Sequence, residues 1–303
     1  MPDAVKKPLL IVITGPTASG KTALAVRLAK HLGCSIISAD SRQVFRELAI
    51  GSAAPSEEDM QGVPHYFVGS HRISEPFNAG IFANECIGLL EQLFKENPIQ
   101  ILCGGTGLYI DALLNGLNEL PEADEKLREQ LRLEWEENPN RLVEELKQKD
   151  PGFASQADLN NPRRVMRALE VIRTTGKQYS ELRTGEKPVL FFNYKCFALM
   201  PEREELYARI NARTPVMIKQ GWLNEVNKLV DFRQLNALQT VGYRELFEYL
   251  DGVYGMEETI DRIRMNTRRY AKRQVTWIKN KLKCKWIKPE NGFETILNET
   301  KDY

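Results

Sequence analysis

The hydrophobic pattern of the first third of the chain alternates between strand-like and helix-like segments. Residues 8–14 (PLLIVIT) form a continuous apolar run, which is typical of a parallel strand buried on both faces. Residues 34–39 and Ile99–Cys103 predict two more strands, and helical periodicity separates them, up to Gly33 and over about 79–95. This strand–helix alternation predicts an α/β core built on a parallel sheet.

The pattern changes near Leu120. Residues 122–150 are acidic and have helical periodicity, and a helix with an arginine face is predicted over 162–173. Strand-like composition returns at 189–200, and further helices are predicted over 202–212, 214–230, 242–250 and 257–282. We therefore predict an α/β core formed by residues 1–119 and 191–303, interrupted by a helical insertion at 120–190.

Composition places the chain among ordinary globular proteins, because 42% of its 303 residues are hydrophobic and 27% are charged. The longest apolar run is far shorter than the roughly 20 residues of a membrane span, and the N-terminus lacks the apolar region of a secretory signal. Five scattered cysteines without a Cys-x-x-Cys pair make a disulfide framework and a cysteine-rich zinc site unexpected. We expect a cytoplasmic protein without a membrane partner.

The net charge of +1 conceals an uneven distribution of charge. From Asp261 to Lys288 there are eleven basic residues and one acidic residue, so this segment carries +10 and the rest of the chain −9. Arg163, Arg164 and Arg167 form a second basic cluster. A solvated helix face is the alternative interpretation, but such an excess of cations favours a nucleic-acid partner.

A phosphate-binding loop connects the first strand to the first helix. The segment matches the G-x-x-x-x-G-K-[ST] pattern and consists of Gly15, Pro16, Thr17, Ala18, Ser19, Gly20, Lys21 and Thr22. Backbone N–H groups, the helix N-terminus and Lys21 would bind an oligophosphate, and the Thr22 hydroxyl would bind Mg²⁺. The loop alone leaves an ATPase, a small-molecule kinase and a diphosphate-releasing transferase open.

Two strand ends supply further candidate residues. Asp40 follows the 34–39 strand and is expected beside the phosphate loop, with helix capping as the alternative role. Gly104, Gly105 and Gly107 follow the Ile99–Cys103 strand. These glycines permit close approach of a ligand or another backbone, and a tight strand-to-helix turn is an equal interpretation.

These motifs together resemble the bacterial type of the tRNA dimethylallyltransferase (isopentenyl-diphosphate:tRNA transferase) family. The matching segments occur in the family's order from residue 8 to about 288: GPTASGKT (15–22), ADSRQVF (39–45), GGTGLYIDALLNGL (104–117), NPRRVMRALEV (161–171) with TGK (175–177), QTVGYRE (239–245) and TRRYAKRQVTWIK (267–279). The resemblance implies a P-loop NTPase-like parallel sheet core with an inserted helical domain that binds tRNA.

The resemblance also implies an activity and its residues. The activity is transfer of a dimethylallyl group from its diphosphate to N6 of the adenosine on the 3′ side of the anticodon. The implied catalytic residues are Asp40 as general base, with Lys21, Thr22 and Arg213 at the diphosphate, and Mg²⁺ at Thr22. The donor diphosphate would contact residues 15–22, and the tRNA anticodon stem-loop would contact Asp40, Ser41, Arg42, Gln43, Thr106, Arg128, Arg163, Arg164, Val165, Met166 and Arg167.

The charge pattern adds Arg268, Arg269 and Arg273 to the expected tRNA contacts. Tyr109 and Trp277 are candidates for stacking on a base, with a place in the core as the equal alternative for each. We expect a monomer. A P-loop kinase that uses ATP on a small molecule or a polynucleotide end, and an RNA-binding module without enzymatic activity, remain as alternatives.

The chain departs from the family pattern in one loop. Where the family commonly has D-I-G-T-A-K-P, this chain has Ala49-Ile50-Gly51-Ser52-Ala53-Ala54-Pro55. Alanines therefore replace the acid and the lysine, which predicts altered donor or tRNA affinity. No paired Cys/His cluster appears near residue 303, so we do not expect the zinc-finger extension of eukaryotic relatives.

Overall fold

The computed structural model of the chain describes residues 7–117, 120–121, 124–183 and 188–303. The chain divides into two compact units. The sheet unit comprises Met1–Leu114 and Val189–Tyr303, and the helical unit comprises Asn115–Pro188. The sequence analysis predicted these boundaries a few residues later, at 119/120 and 190/191.

A parallel six-stranded sheet forms the centre of the sheet unit. Its strands lie in the order β3-β2-β4-β1-β5-β6. The strands are β1 (Leu9–Thr14), β2 (Ile36–Ser38), β3 (His65–Tyr66), β4 (Ile99–Cys103), β5 (Asn193–Leu199) and β6 (Lys285–Ile287). The predicted α/β class and parallel sheet are confirmed.

The helices of the two units follow one another along the chain as α1 (Lys21–Leu32), α2 (Glu57–Met60), α3 (Ala79–Glu96), α4 (Gly107–Asn115), α5 (Glu125–Glu137), α6 (Pro139–Lys149), α7 (Pro151–Ala154), α8 (Pro162–Thr175), α9 (Arg203–Lys219), α10 (Trp222–Asn227), α11 (Tyr243–Leu250), α12 (Met256–Lys281) and α13 (Gly292–Thr300). No helix within the described ranges is both long enough and apolar enough to cross a membrane.

The position of β1 explains its uninterrupted apolar sequence. Leu10 and Val12 point into one hydrophobic core, while Leu9, Ile11 and Ile13 point into a second core. Side chains alternate between the two faces of a strand, so a strand covered by helices on both sides needs apolar residues at every position. The carboxyl end of this buried strand carries the phosphate loop.

The helix boundaries differ from the prediction around Pro215. The sequence predicted a break between 212 and 214, but α9 continues through Pro215 to Lys219. The predicted 214–230 helix is not continuous. Gly221 has a φ of 99°, and this left-handed conformation separates the end of α9 from the start of α10. The edge strands β3 and β6 were missed because two or three residues give no measurable periodicity.

One cysteine pair corrects the expectation that the cysteines are unpaired. Cys196 and Cys284 form a disulfide across a sequence separation of 88 residues. The parallel register of β5 and β6 pairs Phe197 with Lys285, and this register brings the two preceding cysteines opposite each other. Cys34, Cys86 and Cys103 are buried and free.

The helical unit has its own core and partly buried ion pairs. Leu131, Leu142 and Leu169 are fully buried and belong to one apolar cluster. Arg173 pairs with Glu134 and Glu145, and this pairing lowers the pKa of Glu134 to about 2. Packing and charge pairing within the unit therefore both stabilise its helices.

Candidate active site

A cavity of about 720 Å³ opens at the carboxyl ends of the strands of the sheet unit. In an open α/β sheet this edge is where ligands bind. Its lining includes several predicted site residues: Thr17, Ala18, Ser19, Gly20, Lys21, Thr22, Asp40, Arg42, Gln43 and Arg213. The fold thus brings together the phosphate loop, the acid after β2 and an arginine of α9.

The phosphate loop curls tightly because of its glycines. Gly15 has a φ of 145° and its α-carbon lies against the carbonyl of Leu199, so a Cβ there would collide with backbone. Gly20 has a φ of 91° and immediately precedes α1. The Ser19 hydroxyl is buried and has no hydrogen-bond partner among the described residues, which leaves it available to a bound ligand.

Two partly buried cations lie at the loop. Lys21 Nζ donates a hydrogen bond to the Pro16 carbonyl (2.7 Å), and Arg213 Nη2 donates one to Thr17 Oγ1 (2.9 Å). Burial lowers the pKa of Lys21 and also that of Arg213, while Asp40 opposes both shifts. Charges held away from water are stabilised by an anion, so this end of the cavity is suited to a diphosphate.

Asp40 lines the cavity and also holds its own loop. Its Oδ1 accepts hydrogen bonds from the N–H groups of Arg42 (2.9 Å) and Gln43 (3.3 Å). Residues 41–44 form a turn and not a helix, so Asp40 stabilises this turn where helix capping was the alternative, and the residue still lines the cavity. Thr106 Oγ1 accepts from the Ser41 N–H (2.9 Å), which ties the end of β2 to the turn after β4.

The glycines after β4 serve contacts within the protein. A Cβ on Gly104 would overlap the backbone of Ala39, and one on Gly107 would overlap the indole ring of Trp277. Close approach of another backbone, one of the open interpretations, is therefore found at Gly104. Trp277 is partly exposed where it covers Gly107.

Tyr109 is a core residue. It is 5% exposed, and its ring stacks on Phe82 with the centroids 4.6 Å apart. Burial raises the pKa of its hydroxyl to about 12. Of the two open interpretations, the structure therefore selects the core for Tyr109, and its ring faces have no room for a base.

Sequence analysis missed two residues of α12 at this site. Tyr270 lines the cavity, and burial together with the charge of Asp40 raises its pKa to about 12, so its hydroxyl keeps its proton at neutral pH. Gln274, one turn further along, also lines the cavity. The available signal was their four-residue spacing, which the surrounding arginines and lysines obscured.

The loop with the two alanine replacements is held through its backbone. Glu225 accepts hydrogen bonds from the N–H groups of Ile50 (2.7 Å) and Gly51 (2.9 Å) and from the Tyr243 hydroxyl (2.6 Å). A Cβ on Gly51 would overlap Trp222 and Tyr243. The position of this wall of the cavity therefore does not depend on side chains at Ala49 and Ala54.

In the fold, acidic residues from outside the basic segment (residues 261–288) pair with some of its cations. Glu258, Glu299 and Glu202, all outside the segment, pair with Arg262, Lys285 and Lys288. The count of +10 left out these acids because they are distant in sequence or just beyond the segment.

The three arginines of α12 predicted to contact tRNA have different environments. Arg269 and Arg273 are exposed. Arg269 Nη1 donates a hydrogen bond to Asn266 Oδ1 of its own helix (3.3 Å), whereas the half-buried Arg268 donates from Nη1 to Asn211 Oδ1 of α9 (2.6 Å). Part of the hydrogen-bonding capacity of the Arg268 guanidinium is therefore used in the contact with α9.

The predicted tRNA contacts of the helical unit also divide into two groups. Arg163 and Arg164 are exposed and Met166 is half-buried. Arg128 and Arg167 instead pair with Glu170, whose side chain is 3% exposed. The Val165 side chain is fully buried, which removes it from the surface that the prediction assigned to it.

Comparisons with known proteins agree with the motifs. The family profile described as IPP transferase matches residues 43–281. A tRNA dimethylallyltransferase of Cytophaga hutchinsonii is 50% identical over 92% of this chain and 92% of its own length. A tRNA dimethylallyltransferase of Bacteroides thetaiotaomicron is 41% identical over 95% of this chain and 94% of its own.

Solved structures give the same result for the fold. A tRNA isopentenylpyrophosphate transferase of Bacillus halodurans is 37% identical, with a TM-score of 0.72, over 98% of this chain and 96% of that one. A eukaryotic dimethylallyltransferase described as acting on tRNA is 27% identical, with a TM-score of 0.78, over 97% of this chain and 76% of that one.

Proposed function

Because the chain belongs to the tRNA dimethylallyltransferase family, we propose that it transfers a dimethylallyl group from dimethylallyl diphosphate to N6 of the adenosine 3′-adjacent to the tRNA anticodon. The observation that carries the proposal is the shared cavity of Lys21, Asp40 and Arg213. Two cations and one carboxylate in one pocket supply what an anionic leaving group and a proton-losing nucleophile need. This combination also favours the transferase over an RNA-binding module without activity.

The phosphate loop would bind the donor's diphosphate. When the allylic C–O bond breaks, its electron pair leaves with the diphosphate and positive charge develops on the prenyl carbon. Lys21, Arg213 and the N–H groups at the start of α1 would stabilise the departing negative charge. Their burial strengthens this interaction, because little water remains to screen it.

The residues present fit a magnesium ion that arrives with the diphosphate. The described residues include no cluster of three or more acidic, histidine or cysteine side chains that would hold a metal alone. Mg²⁺ is commonly bound through substrate phosphates and few protein oxygens, and Thr22 lines the cavity with such an oxygen. The ion would neutralise part of the diphosphate charge.

Asp40 would act on the acceptor side. The N6 amino group forms the new C–N bond and must lose a proton, which the Asp40 carboxylate accepts. Adenine has to leave the anticodon stack to reach this cavity, as in other base-modifying enzymes. The protonated Tyr270 hydroxyl beside Asp40 offers a hydrogen-bond donor to the flipped base.

Exposed arginines would bind the tRNA backbone. We assign this role to Arg269 and Arg273 of α12 and to Arg163 and Arg164 of α8, which are exposed. The proposed setting is the cytoplasm, where tRNA is available, and the proposed active form is a monomer.

One assay separates this proposal from the kinase. The protein is incubated with radiolabelled dimethylallyl diphosphate, Mg²⁺ and an unmodified tRNA with adenosine beside the anticodon. Label is expected in that tRNA, and none in a matched tRNA with guanosine at the same position. ATP turnover without transfer of the label to tRNA would support the kinase and overturn the proposal.

A further inference from the structure

Gln274 is a buried polar side chain with both ends of its amide in use. It belongs to α12 and is 7% exposed. Its Oε1 accepts a hydrogen bond from the Thr17 N–H (2.8 Å), and its Nε2 donates one to the Gly105 carbonyl (2.9 Å). One side chain therefore joins the phosphate loop to the glycine turn after β4.

The two loops that Gln274 joins extend from adjacent strands. β1 ends at the phosphate loop and β4 ends at the glycine turn, and the two strands pair directly in the sheet. A Cβ on Gly105 would overlap Gln274 Nε2, so the glycine makes room for the amide.

Thr17 is held from two directions. Gln274 fixes its backbone N–H, and Arg213 donates to its hydroxyl. The Thr17 N–H is thus already used within the protein, although the sequence pattern counted it among the diphosphate contacts. The Ser19 N–H donates to the Pro16 carbonyl (3.3 Å), so the loop donors left for the diphosphate are the N–H groups at the start of α1, a few residues after Thr17.

We propose that Gln274 is a positioning residue for the donor diphosphate: from α12, the helix whose exposed face carries Arg269 and Arg273, it sets the conformation of the phosphate loop. This inference rests on the proposed function. It assigns α12 a task on its buried face that is separate from tRNA binding on its exposed face. A substitution at Gln274 should therefore weaken donor binding and leave tRNA binding unchanged.

Gln274→Glu provides the sharpest test. The ionised carboxylate accepts from the Thr17 N–H but presents a lone pair to the Gly105 carbonyl, so one of the two hydrogen bonds is lost. The protonated carboxyl group has both an acceptor and a donor and restores the pattern of the amide. We expect binding of inorganic diphosphate with Mg²⁺, measured by calorimetry, to be about tenfold weaker than wild type near pH 8. Burial and the facing Gly105 carbonyl disfavour the ionised carboxylate and raise its pKa above the ordinary value, so the ratio should approach one as the pH falls through this raised pKa.

The wild-type protein measured across the same pH range is the reference. Lys21, Asp40, Arg213 and Tyr270 face the same cavity in both proteins, so their titration enters both profiles. Gln274→Met, which has a similar size and no hydrogen-bonding amide, should show weaker diphosphate binding at every pH. Thr276→Ala is the matched control on α12, because the exposed Thr276 hydroxyl donates to the Lys272 carbonyl of its own helix and, among the described residues, to no loop of the cavity.

The binding readout separates this inference from the proposed function. The affinity for diphosphate is measured without prenyl transfer. The measurement therefore tests the role of Gln274 even if the wild-type protein transfers no label to tRNA. In steady-state assays the KM for dimethylallyl diphosphate should rise while the Kd for tRNA stays at the wild-type value. Equal loss of both affinities, or a Gln274→Glu defect that does not change with pH, would assign Gln274 to packing alone and overturn the inference.

Discussion

Arg213 of α9 donates a hydrogen bond to the hydroxyl of Thr17 in the phosphate loop, with 2.9 Å between Nη2 and Oγ1. The two residues are separated by 196 positions in the sequence. The contact holds a partly buried guanidinium at the place where a departing diphosphate would gain charge. Because the two side chains are in contact, we expect the effect of substituting one of them on the rate of prenyl transfer to depend on the other.

Arg213→Gln is therefore expected to lower kcat/KM by about 10²-fold or more, the scale of one preorganised donor to a developing anion. Thr17→Val should cost less, and the double variant should lose less than the product of the single effects. Rates of prenyl transfer for the four proteins measure this coupling. Arg203→Gln, at the exposed start of the same helix, is the control. Independent effects of the two substitutions would contradict the coupling.

Asp40→Asn tests the general base with the local turn preserved. The Asn side-chain oxygen still accepts from the Arg42 and Gln43 N–H groups, but the amide does not take a proton from adenine. The rate of the chemical step should fall by about 10²-fold or more with tRNA affinity unchanged. Rapid-quench and tRNA-binding measurements check both points. Asp40→Ala removes the turn as well, so any further loss in it measures the turn. Wild-type turnover in Asp40→Asn would remove Asp40 from the role of base.

Donor affinity should depend on pH through Lys21. Burial lowers the pKa of Lys21, and diphosphate binds its protonated form. Affinity is therefore full below this pKa and decreases as the pH rises through it, earlier than for an exposed lysine. Calorimetry of diphosphate binding from about pH 7 to about pH 10 measures the decrease. Lys21→Arg stays charged over this range and should bind without the alkaline loss. The same alkaline profile in both proteins would show that another group titrates.

Salt dependence tests the exposed face of α12. Replacing Arg269 and Arg273 with Gln should reduce the salt slope of tRNA binding by about one unit for each lost phosphate contact. Adding Arg268→Gln should change the slope less, because its guanidinium already donates to Asn211. Lys288→Gln is the control, since Lys288 pairs with Glu202. A wild-type slope in the double variant would mean that these arginines do not contact phosphate.

Features encoded within a short segment were predictable from the sequence. The phosphate loop is contiguous from Gly15 to Thr22, and Asp40 follows directly on an apolar strand, so both were predicted from neighbouring residues. The parallel sheet was predictable because β1 needs apolar residues on both faces. The roles of the site residues themselves stay predictions.

Features that depend on distant contacts were not predictable. Glu225 bonds to Ile50 across 175 residues, and Gln274 bonds to Thr17 across 257. Glu225 lies outside the motifs that the sequence analysis used. Gln274 lies inside the basic motif 267–279, where the arginines and lysines dominate the pattern and nothing in the spacing indicates its partner. The pairing of Lys285 with Glu299 was missed for a related reason: a count of charges within one segment excludes acids beyond its end.

The glycine turn after β4 has a consequence for how the sequence of α12 can change over time. Gly105 and Gly107 leave no spare volume beneath Gln274 and Trp277, so substitutions on that side of the helix disturb the sheet edge directly. Arg269, Lys272 and Arg273 face solvent and are free of this constraint. Adaptation to a different set of tRNAs would therefore change residues on the solvent-exposed side of α12. The two sides of the helix would accumulate substitutions at different rates.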